Sequence, residues 1–163
     1  TYFFNDFKDL VDFDETIFRN VNRRQVETSG VEFQADWQPD ETLRFQANAT
    51  YTDIDVVGEE RVLSGRPQWS AGIVSQWQFN EGWDASLDYR YGGEQWATSR
   101  HTGVDVAEKL DSFHRLDGTL RFRPEENWQI QLSVDNLANQ RYDTAVGFEA
   151  PRRALRLGLR FTL

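Results

Sequence analysis

Trp128-Gln129-Ile130-Gln131-Leu132-Ser133-Val134-Asp135 decides the fold. Apolar and polar side chains alternate strictly, the two-residue period of a β-strand with unlike faces and not the 3.6-residue period of a helix. The same pattern spreads outward. Toward the C-terminus, Leu155, Leu157, Leu159, Phe161 and Leu163 alternate with Arg156, Gly158, Arg160 and Thr162. Toward the N-terminus, Leu116, Gly118, Leu120 and Phe122 alternate with Arg115, Asp117, Thr119, Arg121 and Arg123. Trp83, Ala85, Leu87, Tyr89 and Tyr91 face away from Asp84, Ser86, Asp88 and Arg90. Further apolar rows are Trp69 to Phe79, Leu43 to Tyr51 and Val31 to Trp37. A less regular strand over 2–13 brings the total to eight, and no segment reads as a helix. The predicted fold class is all-β, an antiparallel up-and-down meander of about eight strands.

The connections alternate too. Gln38-Pro39-Asp40-Glu41, Asn80-Glu81-Gly82 and Pro124-Glu125-Glu126-Asn127 are tight and carry turn chemistry. The connections over 53–68, 94–112 and 141–152 are long and polar, and a shorter one lies near 13–20. A meander built this way has short turns at one end and long loops at the other.

Composition narrows the reading. The 163 residues suffice for one ordinary domain. With 18 Lys and Arg against 27 Asp and Glu, the net charge is −9, which argues against a nucleic-acid partner, since that would want a basic face. Cys is absent, so neither a disulfide scaffold nor a thiolate metal site is available. Met is absent as well, so a processed chain or a piece of a longer one is expected. The six Trp, five Tyr and twelve Phe are a heavy aromatic load for a mean hydropathy of −0.69, which argues against disorder. No signal peptide is visible, and no apolar run approaches the roughly 20 residues of a membrane helix. A membrane barrel stays open, since its strands need only about 9–11 residues with every second one apolar.

The tryptophans favour that barrel. Trp37, Trp77, Trp83 and Trp128 all flank the tight turns, each on its strand's apolar face, while Tyr51, Trp69, Tyr89 and Tyr91 stand at the other end. Two aromatic belts flanking an aliphatic band are what a bilayer with two interfaces selects. A soluble sandwich also has apolar-in, polar-out strands, but its core gives no reason to sort Trp by strand end. Soluble strands also average about 5–6 residues, shorter than these rows.

With these residues in view, the chain resembles the TonB-dependent outer-membrane receptors. Tyr2-Phe3-Phe4-Asn5-Asp6-Phe7-Lys8-Asp9-Leu10-Val11 is similar to an aromatic strand of that family. Glu27-Thr28-Ser29-Gly30-Val31-Glu32 is similar to its Gly-apolar-Glu strand entry, and Gly65-Arg66-Pro67 to a Pro that opens a strand. The most specific segment is Val134-Asp135-Asn136-Leu137-Ala138-Asn139-Gln140-Arg141-Tyr142, which resembles the Asn-Leu-x-Asn-x-x-Tyr element near the end of these barrels. The last residues, with Arg156, Gly158, Phe161 and Leu163, resemble the C-terminal assembly signal of outer-membrane barrels, with Leu163 where Phe is usual.

The resemblance implies that residues 1–163 are the C-terminal segment of a 22-stranded transmembrane β-barrel whose plug and earlier strands lie elsewhere. It implies the outer membrane of a Gram-negative bacterium and energy-coupled uptake of a siderophore-type metal chelate or a cobalamin-like nutrient. The implied partners are outer-membrane lipid, a small nutrient ligand, the TonB energy-coupling protein through the plug, and the barrel assembly machinery, with a monomeric receptor. A different class of reading is a complete eight-stranded barrel acting as an anchor or adhesin.

Enzymatic chemistry is not expected. No nucleophile elbow, phosphate loop or dinucleotide fingerprint occurs. The charges on the polar faces recur on every strand without converging on a site, so they read as a charged lumen. His101 and His114 lack partners with metal-ligand spacing, so no metal site and no cofactor are expected. Candidate ligand contacts lie in or beside the long connections: Trp96, Arg100, His101, Phe113, Phe148 and Arg152. Trp37, Trp77, Trp83 and Trp128 are the candidate membrane-interface residues.

Overall fold

A computed structural model describes residues 1–14, 17, 19–58, 64–99 and 106–162. Twelve strands occur in chain order: β1 (Tyr2–Asp14), β2 (Arg19–Trp37), β3 (Leu43–Val56), β4 (Trp69–Asn80), β5 (Trp83–Gly92), β6 (Gln95–Ser99), β7 (Val106–Leu110), β8 (Phe113–Phe122), β9 (Trp128–Asp135), β10 (Asp143–Ala145), β11 (Phe148–Glu149) and β12 (Ala154–Phe161). Eight of them form one sheet in the order β1-β2-β3-β4-β5-β8-β9-β12, every neighbouring pair antiparallel. No helix occurs among the described residues. This is the expected meander, with its last strand running toward the short-turn end, where Phe161 pairs with Trp128.

Two of the long, polar connections carry short strands of their own. The 94–112 connection contains the antiparallel hairpin β6–β7, and 141–152 contains the smaller hairpin β10–β11. Short runs such as Gln95-Trp96-Ala97-Thr98-Ser99 carry too few residues to announce a strand, and pairing with a nearby partner supplies the ladder. β2 is also longer than its apolar row, running over 19 residues. At about 3.3 Å per residue it spans roughly 60 Å, twice a bilayer's hydrocarbon core.

The tight turns are held by their own side chains. Asp40 Oδ1 accepts from the Thr42 hydroxyl and backbone N–H (both 2.7 Å) and from the Leu43 N–H (3.1 Å). The Thr42 hydroxyl first, then its N–H, holds the Asp40 carboxyl below its usual range. Asn80 Oδ1 accepts from the Gly82 N–H at 2.9 Å in the same manner.

Core burial is sparse. Among the described residues the buried hydrophobics are Val26, Val56, Leu110, Val146 and Ala150, and none belongs to the apolar rows. Leu155, Leu157 and Leu159 are 69%, 76% and 68% exposed, and Val31, Phe33, Ile73 and Leu87 are exposed as well. A sandwich would have covered these side chains with a second sheet. Here a continuous apolar face spanning eight strands has no protein partner, far beyond the patch a soluble monomer exposes.

Candidate functional site

The sheet has two chemically opposite faces and one built-up rim. On the apolar face the register aligns the aromatic residues into belts. At the short-turn end Trp37 stacks on Phe45 (5.4 Å between ring centres), Phe79 lies beside both Trp77 (5.2 Å) and Trp83 (6.2 Å), Trp83 stacks on Phe122 (4.3 Å), and Trp128 meets Phe161 (4.7 Å). At the other end Tyr51 meets Trp69 (4.9 Å), and His114 lies against Tyr91 (5.0 Å) with its Nδ1 in a 2.7 Å hydrogen bond to the Tyr89 hydroxyl. Each ring is an amphipathic or flat group at one level of the strands, with aliphatic side chains between the levels.

The polar face is an ion-pair lattice, with some pairs between neighbouring strands and others between residues two apart on one strand. Asp84 receives Arg121 Nη1 at 2.6 Å and Arg123 Nη2 at 2.7 Å. Arg90 pairs with Asp88 (2.7 Å) and Arg115 with Asp117 (2.9 Å). Arg156 pairs with Asp135 (2.6 Å), which Arg115 also approaches at 3.8 Å. Arg44 pairs with Asp36. A polar cleft of about 380 Å³ lies near the short-turn end, lined in part by Arg44, Gln76, Asp84, Arg121 and Arg123. Every carboxylate here has a cationic neighbour, so none stands free as a general base, and no cluster of metal-ligating side chains occurs among the described residues.

The rim is where the candidate contact residues fall. Trp96 sits on β6, 39% exposed, and its carbonyl accepts from the Gly65 N–H at 2.7 Å, tying Gly65 to the hairpin. Phe148, 69% exposed, lies on β11, and Arg152 pairs with Glu149 at 3.3 Å just beyond it. β10 lies beside both β6 and β7. Phe113 departs from a loop role. It opens β8 on the polar face, lies over Gly92, where an added Cβ would meet its ring at 2.3 Å, and stacks on Tyr142 at 4.4 Å. Arg100 and His101 lie outside the described residues, as does Leu163. Of the C-terminal set, Arg156 is ion-paired, Phe161 belongs to the short-turn belt, and Gly158 faces Gln131 with room for a Cβ at 3.9 Å.

Three residues without an individually assigned role prove central at the rim: Asn136, Gln140 and Tyr142. Asn136 is 1% exposed and has φ +50°. Its Nδ2 donates to the carbonyls of Gln140 (2.9 Å) and Pro151 (3.3 Å), and its Oδ1 accepts from the Gln140 N–H (2.9 Å). Its own N–H donates to Asp117 Oδ1 at 2.8 Å. Gln140 Oε1 accepts from the His114 N–H at 2.6 Å. The signal available in the sequence was the Asn-Leu-x-Asn-x-x-Tyr spacing.

Comparison with known proteins matches this geometry. The family model described as TonB dependent receptor-like, β-barrel covers residues 1–137. The metal-pseudopaline receptor CntO of Pseudomonas aeruginosa is 26% identical over 127 residues, covering 72% of this chain and 17% of that protein. The pyoverdine outer membrane receptor FpvA of Pseudomonas aeruginosa superposes with a TM-score of 0.82 at 15% identity, covering 99% of this chain and 26% of its own. The ferric-catecholate import receptor Fiu of E. coli K12, in its closed form, gives 0.80 at 17% identity, with 98% and 24% covered. At such identities the two structures speak to the fold alone. The chain belongs to the TonB-dependent receptor β-barrel family, whose members are outer-membrane proteins of Gram-negative bacteria and receptors, not enzymes. It spans about a sixth to a quarter of the length of these relatives.

Proposed function

We propose that this chain is the C-terminal wall of a receptor that captures a siderophore-type metal chelate outside the cell and passes it inward with energy from the inner membrane. The name of the CntO relative carries the ligand class, and the metal-chelate receptors among the structural neighbours agree with it. In this reading the apolar face meets lipid, the ion-pair lattice lines the lumen, the short-turn end faces the periplasm, and the rim with β6–β7 and β10–β11 faces outside. The four Trp of the short-turn belt then sit at the inner interface, where an amphipathic ring is best solvated. The remaining strands of a 22-stranded barrel and its plug come from the rest of the receptor, and the plug engages the TonB protein. A monomeric receptor and recognition of residues 156–163 by the barrel assembly machinery complete the reading. A cobalamin-like ligand, also implied by the resemblance, draws no support from the relatives named above. A complete eight-stranded barrel is not favoured, because β1 and β12 are the two ends of an open sheet and do not pair.

Trp96, Phe148 and Arg152 at the rim, with Phe113 behind them, and Arg100 and His101 of the same 94–112 connection in sequence, offer aromatic area and cationic groups, a combination suited to an anionic, partly aromatic chelate. The test uses the full-length receptor in its membrane, with metal-pseudopaline and ferripyoverdine as probes. TonB-dependent uptake of one of them is expected. Deleting 96–108 is expected to weaken binding of that probe at least about tenfold, roughly 1.4 kcal/mol, while the barrel still assembles because no wall strand is cut. Uptake of neither probe, or unchanged affinity after the deletion, contradicts the assignment.

A further inference from the structure

We infer that Asn136 is a positioning residue for the outer rim: one buried amide sets where the β10–β11 hairpin stands against the β6–β7 hairpin. Three separate pieces of chain converge on it. The Gln140 and Pro151 carbonyls, which begin and end the segment carrying the hairpin, both accept from its Nδ2. Its backbone N–H is held by Asp117 of β8, so the amide is referenced to the wall and not only to the loop. The left-handed backbone at φ +50° turns the chain sharply off the end of β9, a conformation Asn tolerates better than other side-chain-bearing residues.

Its neighbours repeat the arrangement. Asn139, at φ +53°, accepts through Oδ1 from the Arg153 N–H at 3.1 Å, which ties the same turn to the start of β12. Leu137 donates its N–H to the Leu116 carbonyl at 2.7 Å, and its side chain lies where a Cβ on Gly118 would meet it at 3.0 Å. Tyr142 stacks on Phe113, and its carbonyl accepts from the Ala150 N–H at 2.8 Å, closing the base of the hairpin. Beyond that base, Val146, Ala150 and Leu110 are buried although they lie in the rim. The hairpin therefore stands on a fixed stem. A hairpin of three- and two-residue strands has no independent stability, so its placement comes from this stem.

The chemistry makes the residue type specific. A buried amide that donates twice and accepts once cannot be replaced by a carboxylate of the same shape without facing two carbonyls with no proton to offer them. Asn136→Asp therefore breaks the two carbonyl contacts and keeps the turn residue's size and its tolerance of positive φ. Asn136→Ala removes all three side-chain contacts.

The experiment uses the full-length receptor reconstituted in bilayers, with a nitroxide at Ala145→Cys on β10 and, separately, at Glu125→Cys on a tight turn at the opposite end. Asn136→Ala is expected to convert the immobilised spectrum at 145 to a mobile one, while the spectrum at 125 and the heat-resistant folded band in gels stay as in the parent. Asn136→Asp is expected to do the same at 145, and it decides the matter if Asn136→Ala does not assemble. An unchanged spectrum at 145 in an assembled variant overturns the inference. So does simultaneous mobilisation at 145 and 125, which would make Asn136 a residue of general stability. No ligand enters the measurement, so its outcome is separate from that of the proposed uptake function.

Discussion

The β1–β3 side of the sheet and the β8–β9–β12 side use the same alternation but end it differently. On the first side the ladder does not stop at the upper aromatic level. Beyond Val31 opposite Tyr51, β2 and β3 stay paired to Val26 opposite Val56, and β1 and β2 stay paired to Asp14 opposite Arg19. On the second side β9 ends at Asp135, opposite the first residue of β12, and the chain turns at Asn136. The tall side continues past the upper aromatic level through backbone pairing and a small cluster of Val26 and Val56 with Leu10 and Ile54. The short side is held by one buried asparagine and ion pairs. Periodicity thus marks the two-faced part of a strand, and side-chain chemistry at the end of the row tells whether the strand continues past it.

The strongest way to break this comparison is to place the same charge at both levels. Leu132→Arg, in the aliphatic band of the short side, is expected to destabilise the assembled receptor by about 2–4 kcal/mol, the cost of a cation on a lipid face near the midplane. Thr28→Arg, on the projecting part of β2, and Gln131→Arg, on the polar face beside Leu132, are expected to cost far less. Urea unfolding in bilayers reads all three, and equal losses would erase the distinction between faces and levels.

A smaller effect separates two glycines. At Gly30 a Cβ would lie 2.0 Å from the Tyr51 carbonyl oxygen and 2.5 Å from the Phe3 ring. Because the closest atom is backbone, Gly30→Ala is expected to cost about 1–3 kcal/mol by overpacking. At Gly158 the nearest atom is 3.9 Å away, so Gly158→Ala is expected to fall within about 0.5 kcal/mol of the parent. Comparable losses at the two sites in the same unfolding assay would place the constraint elsewhere than in these contacts.

The smallest effect is at the short turn joining β2 and β3. The Asp40 carboxyl is held below its usual value, so its contribution is present above the unfolded carboxylate range, near pH 4, and is lost as pH falls through the lower folded value. Acidification from pH 5 should loosen the 38–42 turn, read as faster amide exchange at Thr42 and Leu43, and Asp40→Ala should remove that pH dependence. Persistence of the same profile in the variant would show that other carboxylates control the turn.

Trp128 to Asp135 and the tight turns carried their own instructions, because a strand with one apolar and one polar face must alternate, and Asn80 or Asp40 bonds to nearby backbone N–H groups. The stretch from Arg19 to Gln25 has no alternation in sequence, and pairing with β1 makes it a strand. The rim was legible in part. Trp96, Phe148 and Arg152 stand there, while Phe113 turned out to stack on Tyr142, a contact set by the β8 register. Asn136 was visible as part of a spaced motif, but its reach to Pro151 depends on where β12 begins, which no local pattern specifies.

In the proposed function the unpartnered apolar face is the lipid-facing wall of the barrel. Nitroxides placed one at a time at residues 129 to 134 in the full-length receptor, reconstituted in bilayers, test it by accessibility to oxygen and to a water-soluble nickel chelate. The account predicts a period of two, with Ile130, Leu132 and Val134 open to oxygen and Gln129, Gln131 and Ser133 not. Shielding of Ile130, Leu132 and Val134 from both reagents would put that face inside a protein core and contradict it.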